Sequence, residues 1–475
     1  MNPVPKLDSA AERLLDVALT QVMATLPRAA PRPPRRWLAA AIVVLGVTVS
    51  AASMWLARRP STPHAAQQPA IPPAVSASGR AEIEALPIDT QHLAAELFTP
   101  QEVVSLRRFR GLRELWIQTG ATPGVLGAAA VWKNAPADSL APLAELAHLE
   151  ALHLPRELTS ALLLQPLQRC EALRELDVHQ GIARDAQLFE VLAALPHLGT
   201  LRLNGVTLAA EDLERLQPRA LGELLLNGCA GLDTAGFARV CAMPSLRRLG
   251  LRALRGNDPS VAAQWQPAGE LPALRGLPHL QRLELDDFEL RDSDLEALPD
   301  TLTELELTSY RGLSPSGLAQ LRRLGGLQRL SIYPRSSQAR DPDAATRAAN
   351  VAHADAVAGV VGSLRLTHAV CGPLASEALF DALGGQPDLI ELEVMPADAR
   401  LVRRLGASRS LRQLQMSFVA DLSLDDLRPL AAVRSLRKLQ LFECGEVSEV
   451  DVRALFGAEV EVRATGLRSR RHRVR

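Results

Sequence analysis

Leu280-Gln281-Arg282-Leu283-Glu284-Leu285 places apolar side chains at the first, fourth and sixth positions of a six-residue frame, and the frame returns along the chain. It stands earlier as Leu112-Arg113-Glu114-Leu115-Trp116-Ile117 and Leu198-Gly199-Thr200-Leu201-Arg202-Leu203, and later as Leu436-Arg437-Lys438-Leu439-Gln440-Leu441. With Ile, Val or Met allowed at the last place and Val361 once at the first, thirteen copies begin at residues 112, 149, 173, 198, 221, 246, 280, 302, 327, 361, 389, 411 and 436. A period of about 25 residues marks a solenoid, whose units bury their apolar faces only against their neighbours. Within each frame the alternation predicts a short strand, leucines inward and the residues between them outward. Between frames, as in Leu208-Ala209-Ala210-Glu211-Asp212-Leu213-Glu214-Arg215-Leu216, apolar residues fall at helical spacing.

One copy carries more than spacing. Leu221-Gly222-Glu223-Leu224-Leu225-Leu226-Asn227-Gly228-Cys229 runs on into Gly231-Leu232-Asp233-Thr234-Ala235-Gly236-Phe237. The copy from Leu302, with Leu313-Ser314-Pro315-Ser316-Gly317-Leu318, follows the same plan. The chain therefore resembles the leucine-rich-repeat family, close to its cysteine-containing subtype, over roughly residues 97–463. That resemblance implies an α/β solenoid bent into a horseshoe, with parallel strands on the concave side and helices on the convex side. The repeat domain is expected to fill residues 81–463, with a helix beginning at Thr99-Pro100 to cap its exposed end.

Composition narrows the function. Over 475 residues the formal net charge is zero and aromatics are 3 %, so no global field steers the chain to nucleic acid, and none is expected as a partner. The cysteines (Cys170, Cys229, Cys241, Cys371, Cys444) lack the spacing of a metal site or a disulfide framework, and they are expected to be buried thiols. Cys229 and Cys444 each follow the last leucine of a copy by three residues, where a small side chain can bond the turning backbone. His148, His197 and His279 share one place in the repeat, just before its first leucine, and are not spaced as ligands. No nucleophile-elbow, zinc-protease, phosphate-loop or dinucleotide motif is present. The expectation is a non-enzymatic protein with no cofactor and no metal.

The amino-terminal region is of another kind. Ser9-Ala10-Ala11-Glu12 forms a capping box ahead of an amphipathic helix carrying Leu15, Leu19, Val22 and Leu26 within a cytoplasmic arm, residues 1–36. Trp37 to Ala57 contains no charge and is bounded by Arg35-Arg36 and Arg58-Arg59. As a helix it would be about 30 Å long, enough for a transmembrane helix. Arg28, Arg32, Arg35 and Arg36 before the span outnumber Arg58 and Arg59 after it, which favours the amino terminus inside and the repeats periplasmic or extracellular. Gly46, Ser50, Ser53 and Ala57 form a small-residue stripe that allows weak dimerisation of the span. A Pro/Ala-rich linker is expected at 58–80 and a basic tail at 464–475.

Binding is the function left. Strand parity sets outward a column that includes Trp116, His153, Asp177, Arg202, Glu284, Glu306 and Arg365, with Tyr333 and Phe442 on the outward edge. Arg202, Arg248 and Arg252 read as a basic patch, and Glu284, Asp286, Glu304 and Glu306 as an acidic one. Such pairing orients a folded protein partner. Inserts at about 118–138, 253–272 and 335–350 follow their strands directly and should leave one rim. No tryptophan is expected in a repeat core, and Trp132 and Trp265 fall in the rim inserts. The competing reading is a cytoplasmic-facing scaffold.

Overall fold

The computed structural model describes residues 74–119, 132, 135–155, 160–179, 186–217, 220–253, 271–335, 344–395, 398–419, 421–444 and 447–465. The arm, the apolar segment 37–57, Trp265 and most of the inserts lie outside these residues. Among the described residues no helix is long and apolar enough to cross a membrane.

Among the described residues sixteen strands form one sheet in strict chain order. The first eight are β1 (Val75–Ser78), β2 (His92–Leu97), β3 (Glu114–Thr119), β4 (Ala151–His153), β5 (Glu175–Val178), β6 (Thr200–Asn204), β7 (Glu223–Asn227) and β8 (Arg248–Arg252). There follow β9 (Arg282–Asp286), β10 (Glu304–Tyr310), β11 (Arg329–Pro334), β12 (His368–Cys371), β13 (Glu391–Val394), β14 (Gln413–Ser417), β15 (Lys438–Phe442) and β16 (Glu461–Thr465). Every pairing is parallel. All strand carboxyl ends therefore lie on one edge, from which the inserts after β3, β8 and β11 leave, as their placement predicts.

The leucines do what the frame requires. Leu115, Leu152, Leu176, Leu201, Leu224, Leu249 and Leu283 lie in register and are wholly buried, each worth about 1.5–3 kcal/mol of burial. Adjacent strands sit about 4.8 Å apart and packed helices about 8–10 Å apart, so stacking bends the repeats with the sheet inside. The outer elements are not all α-helices. Ala161–Arg169 and Ala399–Ala407 are 3-10, whereas Thr234–Cys241 and Glu377–Gly384 are α. Inside the first, Pro166 has no N–H to give an α-helical bond.

The turn after each strand follows the repeat plan. Gly205, Gly228, Asp287, Phe418 and Glu443, each just past its strand, and Ser309, near the end of β10, all have positive φ. At Gly231 (φ +77°) a Cβ would collide with the Leu208 carbonyl oxygen of the preceding unit, so glycine is required there. Cys229 donates from Sγ to the Leu203 carbonyl (3.3 Å) and Cys444 to that of Met416 (3.5 Å), one repeat back. All five cysteines are free and buried.

Four expectations need correction. The copy assigned to Val361 is out of frame: Val361 ends the helix Ala344–Val361, and the strand is β12, whose frame is Leu366-Thr367-His368-Ala369-Val370-Cys371. Ala369 and Cys371 fill inward places that leucine fills elsewhere, which hides the frame. Residues 75–78, read as the end of a linker, form β1, and β2 also precedes the first copy, so the cap is β1 with the helix Gly79–Ala85. Thr99 instead starts the 3-10 helix Pro100–Arg108, with the Glu102 carboxylate accepting from the Phe98 and Thr99 N–H groups. At the other end β16 takes in Ala464 and Thr465, so the basic tail starts later than expected. Finally, Trp132 is fully buried in the core, its Nε1–H donating to the Leu97 carbonyl at 3.3 Å. The insert returns this ring to the scaffold, where an indole buries a large apolar area and satisfies its one donor.

Candidate functional site

Outward side chains of a parallel sheet stand in columns, so each meets residues one repeat away. Trp116, His153, Asp177, Arg202, Leu225, Gly250, Glu284, Glu306 and Ser331 are in register across β3–β11, as the parity reading placed them. The next place belongs to Val370, then Glu393, Gln415 and Gln440. Arg365 is not in the column. It precedes β12 at the other edge of the sheet, with a side chain 86 % exposed.

Around Trp116 the columns lock together. Its indole lies flat on the imidazole of His153, centroids 3.4 Å apart and planes 9° apart. Its Nε1–H donates to Glu114 Oε1 at 2.8 Å, and Glu114 Oε2 lies 3.0 Å from His92 Nδ1. His153 is 3 % exposed. Its Nδ1 is 3.5 Å from Asp177 Oδ2, while Nε2 stands 3.8 Å from Glu114 and 3.7 Å from Glu175 without a hydrogen bond. Asp177 also meets His179 Nε2 at 3.4 Å and accepts from Asn204 Nδ2 at 2.6 Å. Asn227 continues the ladder, donating to Asn204 Oδ1 at 2.9 Å. Burial alone would raise the Asp177 carboxyl, but the hydrogen bonds and charge of His153 and His179 outweigh it and hold the group well below the usual carboxylate range.

The second cluster corrects the two-patch expectation. Arg248 pairs with Glu284 at 2.7 Å and Glu223 at 3.2 Å, and Arg252 with Asp286 at 2.7 Å. Arg282 joins Glu284 at 2.7 Å to Glu304 at 2.9 Å. Arg202 pairs with Glu175. The basic and acidic residues thus neutralise one another within the sheet instead of forming complementary patches. Glu306 is the exception: its described partner is the Thr308 hydroxyl (3.2 Å), and burial together with the Glu284 charge facing it pushes its carboxyl up.

Farther along, Tyr333 donates its hydroxyl proton to Met395 Sδ at 3.1 Å, and its ring lies against Gly372, where a Cβ would come within 2.7 Å of it. Phe442 is half-buried, in register between Ser417 and Thr465, and Phe418 beside it is 51 % exposed at φ +63°. Sequence reasoning missed Glu114, Glu175, His179, Asn204 and Arg282. All lie two residues from a named column position, and the same parity puts them on the same face.

Among the described residues no group of His, Cys, Asp or Glu could hold a metal ion. The buried thiols of Cys229, Cys241 and Cys371 are each pushed up to about 12 by desolvation, which leaves no thiolate for nucleophilic work at neutral pH. What the face offers is aromatic area, carboxylates and amides held on rigid strands.

No family model and no curated protein matches the chain. Solved structures do. An internalin from Listeria monocytogenes is 15 % identical, with a TM-score of 0.33 over 77 % of this chain and 83 % of that one. A leucine-rich-repeat protein from Leptospira interrogans is 15 % identical, with a TM-score of 0.33 over 82 % and 99 %. TLR13, in its complex with ssRNA13, is 18 % identical, with a TM-score of 0.38 over 81 % of this chain and 47 % of that one. On its own repeats and its sixteen parallel strands, the chain has a leucine-rich-repeat-like α/β solenoid fold.

Proposed function

We propose that this chain is a non-enzymatic recognition protein that presents its strand face and insert-bearing rim to a protein ligand, and is held at a membrane by residues 37–57. The observation that carries the reading is Trp116: an indole kept on the outward side of the sheet, stacked on a buried imidazole and tethered to Glu114. A tryptophan fixed in one orientation loses little freedom on binding, and such rings dominate interface energies. Glu306, a carboxylate kept in a half-buried place that disfavours its charge, supports the same face.

Support for the anchor comes from sequence: a 21-residue run without charge, flanked by arginine pairs. The arginine balance puts the repeats on the periplasmic or extracellular side, and the small-residue stripe of the span allows weak self-association.

Two measurements test the reading. Alkaline phosphatase and fluorescent-protein fusions at Arg475 report the side of the membrane, and phosphatase activity is expected. Photo-crosslinking residues at Ser331 and Gln415 on the strand face, compared with Leu162 and Val351 on the helical face, report the binding surface in cells. Protein adducts are expected from the strand face alone. Adducts from the helical face instead would reject it.

A further inference from the structure

The edge of the sheet opposite the inserts carries a feature that the strand-face reading does not use. There the amino ends of β11–β15 frame an open cavity of about 590 Å³. Its lining includes Arg365, just before β12, and Arg409 and Arg412, just before β14, with Pro387 and Ile390 of the intervening repeat between them. One acid shares the space: Asp388 lies 4.0 Å from Arg365, both well exposed. Arg409 and Arg412 are exposed and make no ion pair among the described residues. The cavity thus carries an excess of two positive charges, in a chain of zero net charge.

We infer that this groove is a second binding site, which takes a short acidic peptide segment by fixing its carboxylates on Arg365, Arg409 and Arg412 and its aliphatic side chains on Pro387 and Ile390. The arginine fork matches a carboxylate in two parallel hydrogen bonds, and forks on either side of Pro387 and Ile390, Arg365 on one and Arg409 with Arg412 on the other, match carboxylates spaced along an extended chain. Ile390 gives the floor its apolar part. At the equivalent place, just before the strand, the neighbouring repeats carry Gln328, Thr367 and Arg412. A bare inorganic anion has no use for that surface. No aromatic side chain lines the groove, so nucleic acid bases would find no stacking platform. The volume lies in the range of small-ligand clefts.

The test uses the purified full-length chain and a fluorescent, N-acetylated, C-amidated hexapeptide that alternates glutamate with leucine. The control replaces each glutamate with glutamine. Anisotropy titration at low salt is expected to show the glutamate peptide binding at least about tenfold more tightly than the control. The double variant Arg409→Gln, Arg412→Gln should lose that advantage, Asp388→Asn should tighten binding, and Trp116→Ala should leave it unchanged. Equal binding of the two peptides, or an unaltered double variant with an unchanged unfolding midpoint, would overturn the assignment. So would displacement by inorganic phosphate at the concentration that unlabelled peptide requires, which marks a simple anion site. Loss of binding in Trp116→Ala would move the peptide to the strand face and also reject the groove.

Discussion

Trp116 and His153 stack at 3.4 Å on the outward side of adjacent strands, although 37 positions separate them in the chain. The stack is a product of register: in a parallel ladder each outward side chain faces its counterpart in the next repeat, whatever lies between. It also covers the buried His153, which ties the half-buried ring to the His153–Asp177 contact beneath it.

Asp177 should make the stability of this end of the solenoid pH-dependent. Its folded carboxyl titrates below its unfolded value, so its contribution is present above the unfolded pKa of about 3.9 and is lost as pH falls through the folded one. Asp177→Ala is expected to cost about 1–3 kcal/mol near pH 6, and the gap from the parent should begin to narrow below about pH 4. Urea titrations at several pH values measure it. A gap unchanged at pH 3 would show that Asp177 acts only through packing.

Glu306 has the opposite sign. Its folded carboxyl titrates above the unfolded value, so the protonated form suits the fold and stability is lost as pH rises through the folded pKa. Glu306→Gln should therefore raise the unfolding midpoint at pH 7, by about 0.5–2 kcal/mol, and give no gain once pH falls below the unfolded pKa. Coupled loss of partner binding would mark Glu306 as a residue kept for recognition at the expense of stability.

The buried thiols give an alkaline limb. Cys229, Cys241 and Cys371 are held neutral up to about 12 in the fold, whereas unfolded thiols ionise near about 8.5. Their contribution is complete below about pH 8.5 and lost as pH rises toward the folded values. Iodoacetamide at pH 8 should leave them unmodified in the native chain and alkylate them at the unfolding rate. Prompt modification of Cys229 would contradict its place against the Leu203 carbonyl.

Glycines at equivalent-looking turns should differ. Gly231→Ala forces a side chain into positive φ and onto the Leu208 carbonyl, and is expected to cost more than about 1–3 kcal/mol. A Cβ on Gly325 meets nothing within 4 Å, so Gly325→Ala should stay within about 0.5 kcal/mol of the parent. Thermal melts of the pair check it.

The amino-acid sequence by itself determined the solenoid, the strand positions wherever leucine holds all three inward places, and the burial of Cys229 and Cys444. A stacked interior admits little but branched apolar chains at a fixed period, and that requirement is written in the order of residues. It was silent where small residues serve, as at Ala77, Ala95, Ala369 and Cys371, so β1, β2 and the true frame of β12 emerged only in three dimensions. Register decided the rest. Parity places a residue on a face but does not say which side chain one repeat away will meet it. For that reason most of the apparent acidic and basic patches are ion-paired with each other or with neighbouring strands, Trp132 is core, and Arg365 joins Arg409 and Arg412 at the far edge. Those contacts depend on side-chain reach across about 5 Å between strands, and only the folded sheet supplies that distance.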